Sequence, residues 1–403
     1  MKYARKKLPA YRVRHCGWRY RIGRVFRPGN FLASLFFVAA SLFLAILSPV
    51  VRGAPNVHAP DNQVAVKLVT TSRGVSGPYS TKFITKDKKT SSAAVLGTNT
   101  SISSGHSSVI GSKPIWTNMP LFVDPYNSAT QYASQNPSMT DINYIYRMGQ
   151  IPVAQWFGNW NLNISSDVNN YVSGASAVNQ VPVLVLYNIP IRDCGGYSTG
   201  GSSSVSSYTQ WVAQVAAAIG NSTAVVILEP DALGAIDCLA TSALQNERYQ
   251  SLSQAVSLLK SNANTYVYID AGTPVWQSVS TMSQRLKQAG INMADGFSLN
   301  VSYFASNASN QIYGDSLSSL VDNKHYVVDT SRNGGDHAVG GMLCNPSFAS
   351  LGSLPTANTG NSRNDAFLWI KIPWESDGPC NGSPEPGVGY WSYAIQLAKN
   401  AGW

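Results

Sequence analysis

Two apolar runs of this chain end abruptly in carboxylates. The run V-L-Y-N-I-P-I-R-D ends at Asp193, and the run V-V-I-L-E-P-D ends at Asp231. An acid that ends a buried strand lies at the rim of a sheet, where a substrate can reach it. Two neighbouring carboxyl groups can divide the acid and base work that hydrolysis of a glycosidic bond requires. The two runs therefore predict acid–base chemistry, with Asp193 and Asp231 as the first candidates.

These runs belong to a longer alternation. Seven short, nearly continuous apolar segments are separated, for the most part, by stretches with apolar residues at three- and four-residue spacing, such as 205–219, 243–263 and 276–289. This alternation is typical of a parallel sheet covered on both faces. The predicted fold class is therefore α/β, a distorted seven-stranded parallel β/α barrel. The predicted strands are 150–157, 181–190, 224–230, 265–272, 295–302, 325–331 and 365–373.

Polar or aromatic side chains lie at the end of every predicted strand. One such residue is more often a cap or turn residue than a functional one. The active site of an α/β barrel, however, forms at the carboxyl ends of its strands, so we expect these side chains to surround one cleft. In chain order they are Trp156, Asp193, Asp231, Asp270, Asn300, Asp329 with Arg332, and Lys371 with Glu375 and Asp377.

Segments 185–201 and 225–234 resemble the two sequence signatures of glycoside hydrolase family 6, the inverting cellulases, and the resemblance covers roughly residues 115–403. It implies that Asp231 is the general acid and that Asp193 is the carboxylate beside it. Burial or a nearby carboxylate would raise the pKa of Asp231 and keep it protonated. A purely structural alternative is that Asp193 only pairs with Arg192 and Asp231 only caps a helix.

The catalytic base is left open by the resemblance. Asp377, in I-K-I-P-W-E-S-D-G-P-C, matches the position proposed as base in the family. The alternative is a water relay that involves Asp193 and Ser198.

The resemblance also implies contacts to the substrate, a β-1,4-glucan. Tyr187 matches the tyrosine that supports a distorted sugar ring, Trp156 and Trp276 match sugar-stacking positions, and Lys371 and Glu375 match residues that hold sugar hydroxyls. Asn300 and Ser198 complete the predicted binding set. Asp270 is expected to be a structural carboxylate, with Arg192 as partner to it or to Asp193. Lys371 and Glu375 could alternatively pair only with each other.

Four positions depart from the family pattern. Thr273 replaces the histidine of D-A-G-H, Leu343 the tryptophan of W-C, Trp374 the glycine of P-G-E, and Tyr303 the asparagine of N-V-x-N. The changes fall on binding positions while the acids remain. A short loop follows Asp377, which implies an open cleft and cutting inside the glucan chain. The alternatives are a chain-end-acting cellobiohydrolase and a carbohydrate-binding protein that has lost turnover.

Charge and hydropathy organise the rest of the chain. Ten of the 29 basic residues lie in segment 1–30, leaving 19 against 20 acidic residues elsewhere. Because the body has no basic surplus, nucleic-acid binding is not expected. Segment 31–51 is apolar and about 30 Å long as a helix, so it is predicted to be a membrane anchor or a signal-peptide core. The basic segment would stay cytoplasmic or be the signal n-region.

The remaining boundaries follow from composition. Segment 52–112 is rich in Ser, Thr and Gly and predicts a linker, and segment 113–403 is predicted to be the catalytic domain, monomeric and extracellular. Export makes disulfides plausible, and four cysteines allow three pairings. Nearest-neighbour pairing, which the resemblance also implies, joins Cys194 to Cys238 and Cys344 to Cys380. Neither a metal nor another cofactor is expected, because no motif has the required spacing.

Overall fold

The computed structural model describes residues 112–335 and 344–403. Its centre is a sheet of seven parallel strands that lie in chain order. This confirms the predicted fold class. The strands are β1 Gln155–Phe157, β2 Val183–Leu186, β3 Ala224–Leu228, β4 Thr265–Asp270, β5 Gly296–Leu299, β6 His325–Asp329 and β7 Asn364–Leu368.

Helices connect the strands and cover the outside of the sheet. Most of them start at a side-chain cap, as α4 does at Ser204, whose hydroxyl accepts a hydrogen bond from Ser207 N. The helices are α1 Ser128–Gln135, α2 Ile142–Gly149, α3 Ile164–Ala177, α4 Val205–Ile219, α5 Ser242–Leu259, α6 Val279–Gln288, α7 Asn307–Leu320 and α8 Trp391–Asn400. The predicted helix over 205–219 has the bounds of α4.

Two apolar layers hold the barrel together. Residues of β2, β3 and β4 alternate between an interior layer, which includes Val185 and Ile227, and an outer layer against the helices, which includes Leu184 and Val226. Both layers are buried except at Tyr266 on β4, so these strands appear in the sequence as nearly continuous apolar runs. The sheet approaches closure where Ala154 N donates to Trp369 O at 2.9 Å.

The observed strands are shorter than the predicted ones because the chain turns away before the apolar run is finished. Backbone φ is positive at Glu229 and at Asn300, just beyond β3 and β5. Non-glycine residues seldom adopt this conformation, and it ends the strand ladder while aiming the next side chains into the cleft. Strain of this kind is concentrated at functional sites in proteins.

None of the helices in the described ranges, 112–335 and 344–403, is long and apolar enough to cross a membrane. The predicted anchor or signal segment 31–51, the basic segment 1–30 and nearly all of the linker lie outside these ranges. Their assignments stay predictions.

Candidate active site

Asp231 lies on a tight turn that follows β3. Its backbone φ is +70°, and its N–H donates to Asp270 Oδ2 at 3.0 Å. Asp270 ends β4 and is 1% exposed, and its other oxygen accepts from Ser298 Oγ at 3.1 Å. Burial raises the pKa of Asp270 to about 6. Asp270 therefore acts on the backbone of Asp231, as a structural carboxylate would.

The carboxyl group of Asp231 has the environment of a proton donor. Burial raises its pKa well above the usual range, and the charges of Asp270, Asp193 and Asp377 raise it further. Its Oδ1 is buried and has no hydrogen-bond partner among the described residues. The residue as a whole is only half-buried, so its neutral carboxyl group can donate a proton to a bound ligand.

Asp193 faces the same cleft from the loop after β2. Its Oδ2 accepts from Ser198 N at 2.7 Å, and φ is +57° at Asp193. Burial raises its pKa, although the Ser198 hydrogen bond and the charge of Arg192 counteract this. Ser198 thus orients Asp193 through its main chain, and its hydroxyl has no partner in the described part of the chain.

Arg192 does not form the ion pair with Asp193 or Asp270 that the sequence suggested. Its guanidinium donates instead to the carbonyl oxygens of Ser198 at 2.8 Å and Tyr187 at 2.6 Å, and it lies 4.6 Å from the Tyr187 ring centroid. These hydrogen bonds hold the guanidinium within the loop. Arg192 therefore shapes the loop that carries Asp193 and influences Asp193 only through its charge.

Two buried residues that sequence reasoning missed connect the loops of the two acids. Glu229 is fully buried and accepts from Asn188 N at 2.9 and 3.0 Å; burial raises its pKa to about 7. Arg248, on α5, donates to Pro190 O at 2.8 Å and to Ala232 O at 3.1 Å. In the sequence, only the position of Glu229 within E-P-D, two residues before Asp231, indicated a role near the site.

The disulfide pairing is confirmed. Cys194 is bonded to Cys238, and Cys344 to Cys380. The first bond joins the loop of Asp193 to the segment that follows Asp231. The second holds the loop of Asp377. Each bond therefore restrains a segment that carries a candidate catalytic acid.

Asp377 is surrounded by donors. Arg332 Nη1 lies 3.0 and 2.8 Å from its two oxygens, Lys371 Nζ lies 3.6 Å away, and Asn345 N donates to it at 3.0 Å. Burial alone would raise the pKa of Asp377, but the two cations hold it below its usual value. Asp377 is therefore an ionised, fully engaged carboxylate.

Lys371 and Glu375 do not pair with each other within salt-bridge distance. Lys371 is 8% exposed and uses its charge on Asp377. Burial raises the pKa of Glu375 to about 7, and the charge of Lys371 only moderates this. The Glu375 carboxyl is half-buried and is left available to a polar ligand.

The predicted aromatic residues lie on both sides of the acids. Trp156, at β1, contacts Tyr187 edge to face with 5.3 Å between ring centroids, and its Nε1 donates to Ile370 O at 2.8 Å. Trp276 follows β4 and lies against Gly234, since a Cβ there would approach the ring to 2.7 Å. Trp156 and Trp276 are both half-buried, so part of each ring remains accessible.

The structure corrects the prediction for Asn300. Its side chain is fully buried, and its amide donates to Asp329 O at 2.9 Å and accepts from Ala305 N at 3.1 Å. A group with no exposed surface and satisfied backbone partners does not contact a substrate. Asn300 is a turn residue that shapes the end of β5.

Asp329 and Arg332, at the end of β6, fix the opposite side of the cleft. Asp329 Oδ2 accepts from Ser302 N at 3.0 Å and from Lys371 N at 2.9 Å. It thereby joins the ends of β5, β6 and β7.

Within 112–335 and 344–403, no group of three or more His, Cys, Asp and Glu residues could hold a metal ion.

The comparison with known proteins agrees with this arrangement. A family model described as Glycosyl hydrolases family 6 matches residues 116–401. The chain belongs to this family. The seven-stranded barrel, with acidic residues at the carboxyl ends of its strands, is thus the family 6 domain of this chain.

Curated relatives of this chain include endoglucanases. Endoglucanase 1 of Streptomyces halstedii is 39% identical over 284 residues, which is 69% of this chain and 85% of that protein. Endoglucanase A of Cellulomonas fimi is 40% identical over 286 residues, and the chain spans 62% of its length. Among solved structures, the endoglucanase Cel6 from Mycobacterium tuberculosis, in complex with methyl-cellobiosyl-4-deoxy-4-thio-β-D-cellobioside, is similar with 40% identity and a TM-score of 0.68, covering 71% of this chain and 98% of that one.

Two of the residues that depart from the family 6 pattern, Thr273 and Trp374, are buried and hydrogen-bonded. Thr273 is 1% exposed, and its hydroxyl lies 3.4 Å from Asn300 Oδ1. Trp374 is 2% exposed and donates from Nε1 to Ser128 Oγ at 2.8 Å. Trp374 therefore packs against α1. Leu343 lies outside the described residues.

Arg332→Met is expected to reduce the free energy of unfolding by about 3–5 kcal/mol, because it leaves the buried Asp377 without its main partner. Arg332 itself is 1% exposed. Urea denaturation monitored by tryptophan fluorescence measures this loss. Arg332→Lys keeps the charge but not the paired N–H donors and should lose less. Equal stability of Arg332→Met and the unmodified protein would contradict the described role of this pair.

Proposed function

We propose that the protein hydrolyses internal β-1,4-glucosidic bonds of cellulose or a related glucan, with inversion at the anomeric carbon. The observation that carries this proposal is Asp231, which is half-buried at the cleft and whose pKa is raised by burial and by three neighbouring carboxylates. Membership of family 6 and the endoglucanase relatives support the substrate class.

Asp231 acts as the general acid in this proposal. Its proton passes to the glycosidic oxygen as the bond to the anomeric carbon breaks, so that the leaving sugar departs as a neutral alcohol. Burial and the three nearby carboxylates hold the proton on Asp231. The transfer becomes favourable once the breaking bond gives the leaving oxygen negative charge and makes it more basic.

Removal of a proton from the attacking water is assigned to Asp193 and Ser198 rather than to Asp377. Asp377 has a lowered pKa and binds Arg332, and a weaker base accepts protons less readily. Asp193 has a raised pKa, and its Oδ1 has no hydrogen-bond partner among the described residues. A water held between Asp193 and the Ser198 hydroxyl is the favoured route.

Sugar binding on the non-reducing side of the cleavage point is assigned to Trp156, Tyr187, Lys371 and Glu375. The Trp156 ring offers a face for the C–H groups of a pyranose, and Tyr187 lies at its edge. Burial and the charge of Asp231 raise the pKa of Tyr187 well above its usual value. Its hydroxyl therefore remains a hydrogen-bond donor over the working pH range.

Attack inside the glucan chain is favoured over attack at its ends by the loop that follows Asp377. Segment 378–388 folds back on itself, with Gly387 N donating to Ser376 O at 3.0 Å and Glu375 paired with Gly389. A loop held this close to its own base supports an open cleft. Relatives named as exoglucanases or cellobiohydrolases are 26–29% identical to this chain, less similar than the endoglucanases of Streptomyces halstedii and Cellulomonas fimi.

The mode of action is tested by viscometry on a soluble cellulose derivative. We expect viscosity to fall well before much reducing sugar appears, because internal cuts shorten chains fastest. Viscosity that falls only in step with sugar release would favour a chain-end-acting enzyme. No sugar release by the purified chain would favour the rival function, a carbohydrate-binding protein without turnover. Proton NMR of fresh digests should show the α-anomer first if inversion is correct.

Export is part of the proposal. Segment 31–51 would place the catalytic domain outside the cell, as a secreted protein or one anchored in the membrane. The insoluble substrate supports this, since cellulose cannot enter a cell. Amino-terminal sequencing of the exported protein decides between the two forms: a new amino terminus beyond residue 51 identifies a cleaved signal, and an intact one identifies an anchor.

A further inference from the structure

Tyr303, which replaces a family asparagine, contacts Trp276 with 5.6 Å between ring centroids and 39° between ring planes. We propose that Tyr303 determines specificity by extending Trp276 into a two-ring platform for the leaving-group part of the glucan. The inference rests on the proposed function, which supplies the substrate. Both rings are half-buried, so each retains accessible surface.

The backbone holds Tyr303 in one place. Its N–H donates to Asn300 O at 2.9 Å, across a turn in which φ is +66° at both Asn300 and Ser302. Ser302 is bound on two sides, by Asp329 Oδ2 at 3.0 Å and by Arg332 Nη2 at 2.7 Å. Arg332 also binds Asp377. The ring of Tyr303 is therefore carried by the same rigid framework as the acids.

The Trp276 ring is equally constrained. A Cβ at Gly234 would come within 2.7 Å of it, and one at Gly272 within 3.2 Å. The backbone of Trp276 is fixed by a bond from its N–H to Thr273 O at 3.0 Å. Thr273 and Tyr303, the two departures on this side, both contact Asn300. A small residue in place of histidine and a large ring in place of asparagine thus occur side by side.

The location of the two rings fits the leaving group. In the sheet order, Asp231 at β3 lies between the Trp156–Tyr187 pair at β1 and β2 and the Trp276–Tyr303 pair beyond β4 and β5. Since Trp156 and Tyr187 are assigned to the non-reducing side, the second pair faces the sugar that departs.

The Tyr303 hydroxyl adds a polar contact. It has no hydrogen-bond partner among the described residues, and it lies close enough to Asp231 and Asp270 for their charges to raise its pKa, after burial as the main cause. The hydroxyl therefore stays protonated. A protonated phenol next to carboxylates can donate to a sugar hydroxyl while the ring supplies apolar surface.

The test is the bond-cleavage frequency of reducing-end-labelled cellopentaose with the full chain and its variants. The quantity compared is the ratio of cleavages that place more sugars on the leaving-group side to cleavages that place fewer there. Tyr303→Ala should lower this ratio about tenfold, within the range of aromatic pair contributions. Tyr303→Phe should change the ratio less than Tyr303→Ala does, because the ring remains and only the contact of the hydroxyl is lost. Trp156→Ala, on the opposite side, should shift the ratio in the other direction.

The ratio does not depend on how much enzyme is folded, so lower stability alone cannot move it. Tyr303→Asn, which restores the usual family residue, provides a second variant if Tyr303→Ala yields too little protein. A ratio unchanged within twofold in either variant would overturn the inference. An unmodified protein that releases no labelled product would overturn the proposed function instead.

Discussion

Asp231→Asn is expected to lower kcat on a soluble cellulose derivative by roughly 10²–10⁴-fold, the range of a general acid's contribution. An amide cannot donate a proton to the glycosidic oxygen, yet it has nearly the same shape as the carboxyl. Asparagine also tolerates the φ of +70° at this position. Reducing-sugar release measures the loss, and thermal melting should show that the fold is retained.

Asp322→Asn is the matched control for this experiment. Asp322 is exposed and also has a positive φ, of +57°, but it follows α7 and lies away from the cleft. Its replacement should leave kcat unchanged. Full activity of Asp231→Asn, with the control behaving as expected, would refute the assignment of the acid.

Asp193→Asn is expected to lower kcat by about a hundredfold, at the lower end of the range for acid–base groups, and to shift the pH profile. The charge of Asp193 is one of the causes that raise the pKa of Asp231. Without that charge, Asp231 loses its proton at lower pH, so the alkaline limb of the kcat profile should move to lower pH. Burial and the charge of Asp270 still raise the pKa of Asp231 in this variant. The alkaline limb should therefore move only part of the way towards the usual pKa of an aspartate.

The control for the second experiment is Asp237→Asn. Asp237 lies near the first disulfide, its side chain is 66% exposed, and it pairs with Arg285 at 2.6 Å. Its replacement should leave the alkaline limb in place. An alkaline limb that is unmoved or moves to higher pH in Asp193→Asn would contradict the electrostatic coupling of the two acids.

The sequence predicted the strands well because of how the barrel is buried. Residues of β2 and β3 are covered on both faces, so the strands appear as uninterrupted apolar runs that end at polar residues. Strand ends were less well predicted, since the left-handed turns at Glu229 and Asn300 depend on tertiary contacts that no local pattern reveals.

Side-chain pairing in the site was harder to predict for the same reason. Arg332 was visible as a strand-end residue, but its pairing with Asp377 joins positions 45 residues apart. Asn300 carries the same polar side chain whether it binds sugar or the backbone, and only its burial distinguishes the two roles. Arg192 is next to Asp193 in the sequence, yet in the fold its guanidinium donates hydrogen bonds to backbone carbonyl oxygens.

The most direct test of the central claim is a crystal structure with a cello-oligosaccharide whose glycosidic oxygens are replaced by sulfur, which prevents cleavage. We predict that the sulfur at the cleavage point lies within hydrogen-bonding reach of the Asp231 carboxyl group, with a water between Asp193 and the anomeric carbon on the opposite face. A bound ligand whose linking sulfur lies beside another carboxyl group, with Asp231 turned away from it, would contradict the account.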